Sequence, residues 1–366
     1  MTLALHLSKL QIRSFRNIQQ LDLELGTHVN VLSGDNGQGK TSVLEAAYLV
    51  ATSKSFRTER LRELIREGDD AAKVTASIAE AGMSRTQRAV LHPTRRSFFL
   101  DETRATRLGE YAVRTPVVVF HPGDLELISG GSVGRRKLLD RLALYLEPSS
   151  GDTRSRYQRA QRERQLILER RGPNSVECDV FESLMAEEGA KLHSAHSSAF
   201  AALQKALQSV YPAMAAQDVG LDCVFKPGGV DDAEVFRTEL RARRTADLKR
   251  KGATFGPHRD DVELFLIGRS ARRHASQGQQ RVLSLSLKLA ELTCVREARG
   301  VHPLLLLDDV SSELDPARTG AVYEVVRDWP SQVIVTTTRP ELFETLLTSS
   351  SERRDFRLSK GALTAL

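Results

Sequence analysis

Residues 34–42 read Gly34, Asp35, Asn36, Gly37, Gln38, Gly39, Lys40, Thr41 and Ser42, and the first eight fit the spacing GxxxxGK[ST]. Glycines at these steps let successive backbone N–H groups turn toward a chain of phosphates, and a helix opening at Lys40 adds positive partial charge. Lys40 would reach the β- and γ-phosphates and Thr41 would offer its hydroxyl to Mg²⁺. A flexible glycine-rich turn is the competing account. Context weighs against it, because residues 29–32 read as a strand and Val43, Leu44, Ala47 and Tyr48 follow at helical spacing. The nine residues are the expected nucleotide site, with ATP and Mg²⁺ as cofactors.

A second element supplies acids. Four leucines at 304–307 make a buried strand that delivers Asp308 and Asp309 at its carboxyl end. Asp308, with Thr41, would hold the Mg²⁺ shell, while Asp309 would orient or deprotonate the attacking water. Lys40 and Asp309 are thus the expected catalytic residues. Lys40 and Asp308 lie 268 residues apart, so both ends of the chain must complete one head. The expected division is 1–130 for its N-terminal part, 131–250 for an inserted helical lobe and 251–366 for its C-terminal part.

Ser276, Gln277, Gly278 and Gln279 open a helix that runs to Arg299, and resemble the signature loop of ABC ATPases. That resemblance implies a loop that caps the γ-phosphate of ATP bound to the opposite subunit. Ser312, Glu313 and Asp315 resemble the D-loop that follows the acidic strand.

The elements that position these residues change character along the chain. The first third is strand-like, with pieces near 7–12, 21–25, 29–32, 73–78, 97–100 and 115–120. After Gly130, Leu138, Leu139, Leu142, Tyr145 and Leu146 recur at helical spacing. Beyond a break at 172–174, Phe181, Leu184, Glu188, Leu192, Ala195, Ala199, Leu203, Leu207 and Val210 form a stripe some 30 residues long, about 45 Å of helix. It is expected to end at Pro212 and to pair with the preceding helix as a short antiparallel arm. A long core helix of an ordinary bundle is the alternative. The fold class expected is α/β: an ABC-type P-loop ATPase head, with a mixed sheet and flanking helices, plus this inserted lobe.

The chain of 366 residues carries 53 Lys and Arg against 47 Asp and Glu, a net +6. The charge is concentrated, since residues 154–171 and 237–251 each net +5. Such runs suit a polyanion backbone or a solvated helix face. Arg154, Arg156, Arg159, Arg162, Arg164, Arg241, Arg243 and Arg244 are the candidate DNA contacts. Aromatics make up only 5 % and do not interleave with the arginines, so stacking on single-strand bases is not indicated. Three scattered cysteines fit a reducing compartment. The N-terminus lacks the order of a signal peptide and no apolar run spans a bilayer, so a cytoplasmic location without membrane contact is expected.

Taken together, the chain resembles the RecF family of bacterial recombination mediators, themselves ABC/SMC-like ATPases. The marks are residues 12–17, the phosphate loop with 44–48, then 55–58, 122–125 with 134–140, 256–261, 276–281 and 308–315. Gly123 and Leu138 depart from the usual pattern, where an acid and an aromatic are common. Thr336, Thr337 and Thr338 stand where ABC transporters carry a histidine, which the RecF family also lacks. For Thr337 a plain strand end is expected, and for His258 and Arg259 a structural turn.

The resemblance implies a weak, DNA-stimulated ATPase that forms a homodimer on ATP over duplex, gapped or junction DNA. It also implies partnership with RecR, with RecO and RecA in the same pathway of recombinase loading, repair and replication. An ATP-stabilised protein-binding scaffold with incidental DNA contact is the alternative.

Overall fold

Apolar and polar residues alternate along the first strands, so each buries one face and wets the other. The computed structural model describes residues 5–215, 220–309, 327, 329–343, 353–359 and 362–365. His6–Phe15 buries Leu7, Leu10, Ile12 and Phe15, and Ile18–Glu24 buries Ile18, Leu21 and Leu23. They belong to an antiparallel sheet in the order Ile18–Glu24, His6–Phe15, Ala72–Glu80, Met83–Leu91, Arg96–Leu100, Thr103–Arg104.

A second sheet runs Ala362–Ala365, Arg353–Ser359, Val29–Ser33, Val333–Thr337, Leu304–Asp308, Val117–Phe120. Its pairings are parallel apart from the outermost, between Arg353–Ser359 and Ala362–Ala365. The four strands from Val29–Ser33 to Val117–Phe120 are buried end to end. Unbroken apolar runs are what a sheet covered on both faces requires. Helix Lys40–Thr52 buries every residue but Thr41. Its Val43, Leu44 and Leu49 share one core with Leu10, Ile12 and Leu23 of the first sheet and Leu304, Leu306 and Ile334 of the second.

The chain divides into two units, Met1–Asp124 with Val295–Leu366, and Leu125–Cys294. The first boundary lies near the expected 130, whereas the second falls well past 250. The reason is pairing inside the second unit. Strand Asp261–Leu266 pairs antiparallel with Leu221–Lys226, and the buried Glu291 takes bidentate hydrogen bonds from Arg141.

In that second unit Ser150–Arg171 and Cys178–Met214 form the antiparallel helical hairpin. Arg156 reaches Glu188 while Arg164 reaches Glu182, which fixes their opposed directions. The longer helix has 37 residues, about 55 Å. Pro212 lies inside it rather than ending it, since the helix closes two residues later at Met214.

Two of the arginines proposed to meet DNA are structural. Arg164, 1 % exposed, donates to Glu182, Asp247 and the Leu240 carbonyl. Arg244 donates to Asp179 and Glu182 with most of its side chain covered. A guanidinium that neutralises buried carboxylates cannot leave them for a phosphate without stranding charge in the interior.

Residues 256–261 tie the same unit together. His258 shares a hydrogen bond with the Tyr157 hydroxyl, and Asp261 pairs with Arg135. Asp260, fully buried, binds His193, His196 and the Gly228 amide. His196 also reaches Asp140. Burial alone would lower the His196 pKa, but Asp140 and Asp260 overrule it and hold the imidazolium up to about 9.

Two outcomes follow. Arg164→Ala should cost about 3–5 kcal/mol in urea unfolding, the range for removing one partner of a buried pair; a loss under 1 kcal/mol would contradict the interior role. Because His196 has a raised folded pKa, its stabilisation is fully present below its unfolded value near 6.5 and is lost as pH rises through about 9. The gap in urea midpoint between wild type and His196→Gln should therefore narrow across that window.

Candidate nucleotide site

The loop between Val29–Ser33 and Lys40–Thr52 is shaped by close approaches. Gly34 has φ 148° and a Cβ there would stand 2.4 Å from the Leu358 carbonyl oxygen. Gly39, at φ 105°, turns the chain into the helix. Lys40 is 6 % exposed, and its Nζ donates to the carbonyls of Gly34 at 2.5 Å and Asp35 at 2.9 Å. Burial pushes its pKa down, opposed by the carboxylates of Asp309, Asp308 and Asp35, with a net fall. An ammonium drawn from water in this way gains by meeting phosphate.

Thr41 Oγ1 donates to Asp308 Oδ1 at 2.8 Å, and Thr336 Oγ1 donates to the same oxygen at 2.8 Å. The hydroxyl and carboxylate expected to share a cation therefore meet. Oxygen donors of this kind suit Mg²⁺, which is commonly held by one or two carboxylates plus substrate phosphates. Thr41 and Asp308 fit that role. Asp309 sits at φ 45°, its N–H donating to both the Thr336 carbonyl and hydroxyl at 3.1 Å.

A cavity of about 870 Å³ opens over the loop, lined by Asn36, Gly37, Gly39, Lys40, Thr41 and Asp309 among others. Asp35 and Asn36 are exposed, and Gln38 is partly so. Ser42 donates to Asn17 Oδ1 at 2.9 Å.

The same cavity shows residues without an assigned role in the sequence. Arg16, Asn17 and Arg57 line it. Glu45, fully buried, takes a bidentate pair from Arg16, a contact from Arg57 and the Ser55 hydroxyl. The signal was a carboxylate on an otherwise apolar helix, with arginines in both flanking segments. Thr336, buried, orients both acids. Thr337, also buried, accepts from the Arg339 amide at a strand end.

Ser276–Gln279 lies in the second unit at the start of helix Gln277–Arg299, exposed at Ser276, Gln277 and Gln279. Ser276 Oγ accepts from the Gln279 amide at 3.2 Å, while Gln279 Oε1 accepts from the Ser276 amide at 2.8 Å. This is a capping box, which by itself accounts for both residue types. The Ser276 O–H remains a donor. Ser312, Glu313 and Asp315 lie outside the described residues.

The remaining DNA candidates divide by pairing. Arg154 pairs with Asp140, Arg156 with Glu188, Arg241 with Asp179 and Arg243 with Glu239. Arg159 and Arg162 are exposed and pair with no described residue.

A largely parallel sheet, a phosphate loop feeding its buried helix, and an acid held against the loop threonine define an ABC/SMC-like ATPase head. Residues 6–351 match the model of the RecF/RecN/SMC N terminal domain. Among curated relatives, the DNA replication and repair protein RecF of Myxococcus xanthus is 36 % identical over 91 % of each chain. That of Geobacter sulfurreducens is 35 % identical over 98 % of this chain and all of its own. The chain belongs to the RecF family of DNA replication and repair proteins.

Solved structures agree. A RecF–ATP structure of a recombination mediator protein in the RecFOR pathway superposes with TM-score 0.87 at 25 % identity, covering 100 % of this chain and 99 % of that one. The Smc head domain of Pyrococcus furiosus, bound to the C-terminal domain of ScpA, matches at TM-score 0.54 and 16 % identity over 99 % and 96 %, a likeness of fold.

The tightness at Gly34 is testable. Gly34→Ala should lower stability by about 1–3 kcal/mol, because the new Cβ meets backbone that must shift. An unchanged thermal midpoint would show that the loop is not held against Leu358.

Proposed function

We propose that this chain is an ATP-gated DNA-binding protein of recombinational repair and replication, closing as a homodimer on ATP and opened by slow hydrolysis. The observation that carries the reading is the Thr41–Asp308 contact. It brings the loop hydroxyl and the acid together from segments 267 residues apart. Lys40 would hold the β- and γ-phosphates. Mg²⁺, held by Thr41 and Asp308, would neutralise developing phosphate charge. Asp309 would orient the attacking water and accept its proton, its backbone fixed by Thr336.

Ser276 of a second copy would cap the γ-phosphate through its free O–H and the helix N-terminus. Ligand shared across such an interface couples dimerisation to nucleotide by mass action. A solved RecF structure in complex with ATP supports nucleotide binding. Duplex contact near single-strand gaps, cooperation with RecR, RecO and RecA in recombinase loading, and a cytoplasmic setting are carried over from the family. Among the described residues no helix is long and apolar enough to cross a membrane. The scaffold reading draws support from the neutralised arginines of the hairpin.

Lys40→Met should abolish ATP binding in a fluorescent-nucleotide titration. Ser276→Arg should bind ATP yet remain monomeric by light scattering. Dimerisation of the second variant on ATP would refute capping in trans, and unchanged affinity in the first would refute the phosphate loop.

A further inference from the structure

From Leu264 to Ala290 the chain holds Arg269, Arg272, Arg273, Arg281 and Lys288 and no Asp or Glu. Arg269, Arg272, Arg273 and His274 are all exposed. None of them pairs with a described residue. Elsewhere in the same unit Arg154, Arg156, Arg237, Arg241, Arg243 and Arg244 each have a carboxylate partner, whereas Arg159, Arg162, Lys249, Arg250 and Lys251 are exposed and pair with no described carboxylate. A cluster of unneutralised charge in the second unit therefore lies outside both arginine-dense runs, directly before the signature-like loop.

Its support is firm. Arg269 pairs with Leu266 across a two-residue turn, and Ala271, 1 % exposed, anchors the turn of helix Ala271–His274. Ala275 closes that turn onto the Ala271 carbonyl, and Ser276 follows at once. Three successive helical side chains fan out by about 100° each. Convergent donors suit one small anion. A fan of separate charges suits a row of phosphates, which duplex DNA presents about every 1.7 Å along its axis.

We propose that Arg269, Arg272, Arg273 and His274 form a contact surface for the phosphate backbone of duplex DNA, and that this contact biases the adjoining signature loop Ser276–Gln279. The surface rests on the reading of an ATP-gated DNA-binding protein. It adds where the backbone is met and how contact reaches the cap: backbone held at residues 272–274 sits two to four residues from the Ser276 hydroxyl.

The test uses the full chain with ATP and a fluorescent duplex, titrated over a series of NaCl concentrations. Arg272→Ala/Arg273→Ala should lower the salt slope of log affinity by about 2, near 0.9 for each phosphate contact removed. The same variant should keep its ATP turnover without DNA and lose the change that duplex produces. An unchanged slope overturns the surface. A fall in affinity for a fluorescent ATP analogue without DNA, at unchanged slope, also overturns it, assigning the charges to nucleotide phosphate. Failure of the wild type to bind duplex at any salt defeats the DNA reading itself. Arg159→Ala/Arg162→Ala, measured alongside, should leave the duplex effect on turnover in place.

Discussion

One carboxylate oxygen joins three distant segments of the head. Asp308 Oδ1 accepts from Thr41 on the phosphate-loop helix and from Thr336 on the neighbouring strand. Those three residues lie at or just beyond the carboxyl ends of three adjacent parallel strands of one sheet, where open α/β sheets place their ligands. The long separation in sequence is therefore a consequence of topology. Val29–Ser33 pairs with Val333–Thr337, which pairs with Leu304–Asp308. The sheet cannot close until the last third of the chain is present.

Charge in the second unit obeys a different constraint. Its helices bury Arg164, Glu182, Asp247, Asp260 and His196 nearly completely. Each buried ion must be matched, because a lone charge in the interior costs several kcal/mol. Matching consumes two of the arginines that looked available. Arg164 satisfies two carboxylates and a carbonyl, and Arg244 satisfies two carboxylates. A helix rich in arginine can thus be an interior scaffold, and net charge per segment overstates what it offers to a polyanion.

The strand–loop–helix around Lys40 and the buried strand that ends at Asp308 were legible from short spacing and an apolar run. The helical hairpin was legible from its 3–4 rhythm, and its extension past Pro212 was not, since a proline near a helix end loses few hydrogen bonds. Arg164 could not be read as interior, because its partners Glu182 and Asp247 lie 18 and 83 residues away. The second unit's far boundary was hidden likewise in the pairing of Asp261–Leu266 with Leu221–Lys226. Glu45 was visible as an acid on an apolar helix, but only folding brings Arg16 and Arg57 to it.

Ser276 shows how one residue type can meet a local demand and keep a hydrogen-bonding capacity in reserve. Its oxygen accepts the Gln279 amide, which stabilises the first turn whether or not a ligand arrives. A hydroxyl has one proton to give as well as lone pairs to accept with. Capping uses only the acceptor, so the donor stays free to point away from the helix. Replacing it by Asp would keep the cap and remove the donor, while adding negative charge at the helix start. Serine is the smallest side chain that caps a helix through its oxygen and still keeps a proton to give.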